Sequence, residues 1–158
     1  MTPNTAPAPY PHLDQLFIDG HWVTGADLQH ATVDTDPYTG TTLATLQHAS
    51  VAQLDAALHS AARAQKAWAQ TLPPVRTSLL LRVAALIDTR HAELLDWLVR
   101  ESGSTVRKAQ IELASAQGMV LEAASFPSRM QGEVLMPFFP HQESRALRVP
   151  LGVVGVIS

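Results

Sequence analysis

The chain has 158 residues, 46% of them hydrophobic and 16% charged, with 11 Lys and Arg against 14 Asp and Glu and no cysteine. This composition is that of a globular protein rather than a disordered one, and its slight acidity excludes a general electrostatic grip on nucleic acid. Without cysteine there is no disulfide, no zinc–thiolate centre and no thiol nucleophile within these residues.

No window approaches the roughly 20 continuous apolar residues of a membrane-spanning helix. Residues 1–15 read as a mobile lead. Its first part carries Pro3, Pro7, Pro9 and Pro11 and has neither the basic start nor the apolar run of a secretory signal, so the cytoplasm is the expected location. Leu16–Ile18 reads as a strand, Asp19-Gly20 as a hairpin turn and His21–Val23 as the returning strand. Asp36-Pro37-Tyr38-Thr39-Gly40 is a second turn, and Thr41–Leu46 extends from it.

The apolar period then changes from two to about 3.6. Ser50 and Gln53 have capping-box spacing at the head of a helix over 51–70, with Leu54, Leu58, Ala61 and Trp68 along its core-facing side. Pro73-Pro74 opens a second helix with a stripe of Leu79, Leu80, Val83, Leu86 and Ile87. A break near Arg90-His91 precedes Leu94, Leu95, Leu98 and Val99, and Ser102-Gly103 ends that helix. Ser104 or Thr105 caps a further helix in which Val106, Ala109, Leu113, Ala116, Val120 and Ala123 recur at near-heptad spacing, with Pro127 as its end. Short extended segments follow at 133–136 and 145–149. Leu151–Ile157 is nearly all apolar and β-branched, the texture of a strand buried on both faces of a parallel sheet. Such a strand needs a crossover helix and a parallel neighbour, so the chain reads as the front part of a longer α/β protein.

Local catalytic motifs are missing. There is no G-x-x-x-x-G-K-[ST], no G-x-G-x-x-G and no G-x-S-x-G. The seven histidines are dispersed, without H-E-x-x-H spacing, so no metal site is expected. Arg100, Arg107 and Lys108 read as a solvated helix face, and Glu101 and Glu112 as capping or helix-dipole residues. Gly152 and Gly155 read as relief of crowding beside a strand.

The ordered set of LFIDGHWV (residues 16–23), DPYTG (36–40), ESG (101–103) and RVPLGVVGVIS (148–158) resembles the N-terminal portion of the aldehyde dehydrogenase superfamily. The segments ESGST (101–105) and EAASFPSRM (122–130) are similar to its benzaldehyde and vanillin dehydrogenase branch. Two positions depart from the pattern: the usual turn asparagine is Asp36, and the widespread lysine after E-x-G is Ser104.

The resemblance implies an α/β fold in which 16–130 belong to the cofactor-binding domain, 131–149 to an oligomerisation strand, and 150–158 to the first strand of a dinucleotide fold. It implies NAD or NADP as cofactor, an aromatic aldehyde as substrate and a homo-oligomer. Ile157 and Ser158 would border the adenosine side of the cofactor. The family's reaction uses a cysteine thiolate, an oxyanion-holding asparagine and a glutamate-activated water. The only asparagine here is Asn4, so no catalytic residue is assigned, and the chain alone is expected to be inactive and to hold no cofactor tightly. The other reading is a stand-alone, non-catalytic interaction module that pairs through its edge strands and helical surfaces.

Overall fold

A computed structural model describes residues 12–157. The expected lead over 1–11 and the candidate residue Ser158 lie outside the described residues. His12–Asp14 form a turn that feeds the first strand, and the His12 ring stacks on Trp22 with centroids 4.6 Å apart.

The chain opens with two antiparallel hairpins. In the first, β1 (Gln15–Ile18) pairs with β2 (His21–Thr24) in the register Phe17↔Trp22. Asp19 and Gly20 have φ of 53° and 81°, the positive pair that a tight two-residue hairpin turn requires. In the second, β3 (Ala31–Thr35) pairs with β4 (Thr42–Gln47), with a register shift at Asp34/Thr35. The turn between them is held by Asp36, whose Oδ1 accepts the backbone N–H of Tyr38 at 2.8 Å and of Thr39 at 3.1 Å.

Four helices follow: α1 (Val51–Ala69), α2 (Pro73–Thr89), α3 (His91–Ser102) and α4 (Val106–Arg129). The Ser50 capping box is fully formed, Ser50 Oγ accepting from Gln53 N and Gln53 Oε1 accepting from Ser50 N. Ser50→Ala is therefore expected to lower stability by about 1 kcal/mol, measured as a fall in the urea midpoint at unchanged slope. Thr105 rather than Ser104 caps α4. Gly103, at φ 65°, ends α3 in the left-handed region. Pro127 lies inside the last turn of α4 rather than ending it. It forfeits one hydrogen bond there, and the helix closes two residues later at Arg129.

The helical layer is organised by α4 packing against α2 and, less extensively, α3. Among the described residues the buried hydrophobic side chains are Ala84 on α2 and Ala109, Leu113 and Ala124 on α4. The three alanines among them let the helix backbones approach closely. Two cross-helix bonds depend on that approach: Thr77 Oγ1 donates to the Ala124 carbonyl at 2.9 Å, and Gln117 Nε2 to the Ala84 carbonyl at 3.2 Å.

The expected core face of α1 is not buried. Leu54, Leu58, Ala61 and Trp68 are all exposed; α1 meets the first hairpin, and Arg76 of α2 reaches its C-terminal end, where it lies over the Trp68 ring at 5.3 Å. Leu79, Val83 and Leu86 on α2 are likewise exposed.

A third hairpin, β5 (Glu133–Leu135) with β6 (Ser144–Ala146), follows α4 in the chain. Phe138 and Phe139 lie exposed in its connecting loop. The run 151–157 forms no strand. It was expected as a buried one, but the described residues offer no parallel neighbour, and the three sheets are separate two-stranded hairpins.

Candidate functional site

Four local networks fix the geometry around the candidate residues. The first centres on Gln53, whose Oε1 accepts from Ala26 N at 2.7 Å while its Nε2 donates to the Thr24 carbonyl at 2.8 Å. One side chain thus caps α1 and ties the end of β2 to it. At the other end of that hairpin, Ser60 Oγ and an Arg63 guanidinium N–H donate to Asp19 Oδ1 at 2.5 and 3.2 Å. The Ser60 hydroxyl first, and then the charge of Arg63, hold the Asp19 carboxyl below the ordinary carboxylate range.

The second network seats the DPYTG turn on the C-terminus of α3. A side chain added at Gly103 would meet Pro37 Cγ at 2.8 Å, so DPYTG and ESG are in van der Waals contact across the fold. The backbone N–H groups of Tyr38 and then Thr39 hold the Asp36 carboxyl below its ordinary range, and Arg100 adds a smaller electrostatic pull in the same direction. A depressed folded-state pKa gives stability that is present above the unfolded pKa and lost as pH falls through the folded one. Asp36→Asn keeps the accepting oxygen and removes the titration. Lacking the ionised carboxylate, its urea midpoint is therefore expected to lie below the wild type at neutral pH, to decline less steeply as pH falls from about 5 to about 2, and to converge on the wild type there.

The third network is the basic cluster at the α3–α4 junction. Arg100 lies over the Trp97 ring at 5.4 Å and beside Asp96 at 3.6 Å. Lys108 Nζ donates to Glu112 at 2.6 Å and to Ser104 Oγ at 3.0 Å. Arg107 is exposed. With Arg100 and Lys108 engaged locally, the cluster is a partly neutralised helix face and makes no convergent anion site.

The fourth is a histidine pair that the dispersed spacing does not reveal. His30 and His48 stack with centroids 6.2 Å apart where β3 begins and β4 ends. His30 Nδ1 lies 2.8 Å from Asp27 Oδ2, and His48 Nε2 lies 2.7 Å from Thr32 Oγ1. No set of three His, Asp or Glu able to hold a metal occurs among the described residues.

Of the two candidate cofactor-bordering residues, Ile157 is described and is fully exposed at 102%. The residues around it do not make a dinucleotide cradle. Leu151–Ile157 lacks a neighbouring strand, and Gly152 and Gly155 have only open space where a side chain would project. A cleft of about 610 Å3 lies instead between the second hairpin and α3. Asp34, Glu93, Trp97 and Glu101 line it, and Arg90, its one basic wall residue, is paired with Glu93 at 2.6 Å. Three carboxylates against one paired guanidinium disfavour a pyrophosphate there. The described residues alone do not fit a nicotinamide dinucleotide.

The family model described as the aldehyde dehydrogenase family matches residues 22–158. A vanillin dehydrogenase of Corynebacterium glutamicum is 39% identical over 90% of this chain and 29% of its own length. A vanillin dehydrogenase of Amycolatopsis is 44% identical over 88% of this chain and 28% of its own. Among solved structures, an NAD-dependent benzaldehyde dehydrogenase from C. glutamicum superposes with a TM-score of 0.79 at 35% identity, over 84% of this chain and 28% of that one. A salicylaldehyde dehydrogenase from Pseudomonas putida, solved with salicylaldehyde, gives a TM-score of 0.81 at 26% identity. The chain thus spans less than a third of the curated relatives it matches. With the family match running from the returning strand of the first hairpin to Ser158, this chain belongs to the aldehyde dehydrogenase family.

Proposed function

We propose that this chain supplies the N-terminal scaffold of a nicotinamide-dependent dehydrogenase that oxidises an aromatic aldehyde to the carboxylic acid. The observation that carries the reading is the grading of similarity. The two vanillin dehydrogenases are 39% and 44% identical, whereas malonate-semialdehyde relatives are 31% and 29% identical over comparable lengths.

In this reading the helical layer backs the cofactor domain, and Leu151–Ile157 becomes the first strand of the dinucleotide sheet once a neighbouring strand pairs with it. Ile157 and Ser158 then border the adenosine side of the cofactor. The bound nicotinamide supplies hydride acceptance. This chain's residues contribute position rather than chemistry, since it holds no thiol and its only asparagine is Asn4. The exposed hairpin β5–β6 would serve a homo-oligomer interface, and the cytoplasm is the expected location.

The test compares the 158-residue chain with the gene product read past Ser158. Each is assayed for nicotinamide reduction with benzaldehyde, vanillin and malonate semialdehyde. The longer protein is expected to favour the aromatic aldehydes, and the 158-residue chain to show no turnover. Turnover by the short chain above a heat-killed control would overturn the scaffold role. Preference of the longer protein for the semialdehyde would overturn the substrate class.

A further inference from the structure

We draw no further inference here: the strongest candidate, the cleft between the second hairpin and α3 walled by Asp34, Glu93, Trp97 and Glu101, is an acidic cluster whose Glu93 is already paired with Arg90, and nothing else in the fold points to a ligand there.

Discussion

Gly25→Ala is expected to destabilise the chain by about 3 kcal/mol, the upper part of the range for overpacking. Gly25 follows β2 and runs directly beneath the end of β4. A Cβ placed there would sit 2.1 Å from the Gln47 carbonyl oxygen and 2.4 Å from that of His48. Both are backbone atoms, so no rotamer change relieves the clash. Their segment is also pinned: the His48 carbonyl accepts from Asp27 N at 3.0 Å, His48 N donates to the His30 carbonyl at 3.2 Å, and Gln47 Nε2 donates to the Asp27 carbonyl. Gly25 is not among the residues at positive φ, so the penalty is spatial rather than torsional. Gly118→Ala provides the control. Gly118 lies within α4 with open space where a side chain would project, and alanine there is expected to raise stability by about 0.5–1 kcal/mol. Urea unfolding followed by far-ultraviolet circular dichroism separates the two. A Gly25→Ala chain with the wild-type midpoint would show that the β2–β4 crossing is looser than described.

That contact also marks the boundary of what the sequence makes legible. Signals that act within a few residues were readable. Asp19-Gly20 announces its hairpin, Ser50 and Gln53 announce the head of α1, and Gly103 announces the end of α3, because each satisfies or bends the backbone locally. Strand β3 was not readable. ATVDT carries one strongly apolar side chain, and its strand state comes from pairing with β4 across the turn. The Gly25 crossing and the Pro37–Gly103 contact are pairwise facts of space that no single stretch encodes.

The helical stripes are partly realised: Ala109 and Leu113 of the expected α4 stripe are buried, whereas the α1 stripe is exposed. Their period was right, and the helices stand where expected. The buried positions are nevertheless mostly alanines, because α2 and α4 approach closely at small residues. The large side chains flanking them remain exposed or half-buried. Hydrophobicity names the face of a helix, whereas burial depends on what lies opposite, and nothing among the described residues covers the leucine face of α1. The candidate site obeys the same logic. The texture of Leu151–Ile157 is that of a two-sided buried strand, but burial is contributed by neighbours, and here Leu151, Val156 and Ile157 are 93%, 87% and 102% exposed.

This context dependence yields the second large effect. Val156→Asp is expected to be nearly neutral in the 158-residue chain, within about 0.5 kcal/mol, because the side chain is already in solvent. In the longer protein proposed above, the same carboxylate would be carried into a parallel sheet covered on both faces. An unpaired charge there costs several kcal/mol on the scale of about 5–15 kcal/mol that holds a domain folded. The expected result is loss of soluble, active longer protein, with Val156→Thr intermediate because its hydroxyl is a smaller desolvation burden than a charge. The readouts are the urea midpoint of the short chain and the soluble yield and aldehyde turnover of the longer one. Equal tolerance of aspartate in both would mean that Leu151–Ile157 stays at the surface of the longer protein. The assignment of 150–158 to the first strand of the dinucleotide fold would then fall, while the family membership, which rests on the match over 22–158, would stand. A loss confined to the longer protein would locate the cause of folding of this segment outside the residues that compose it.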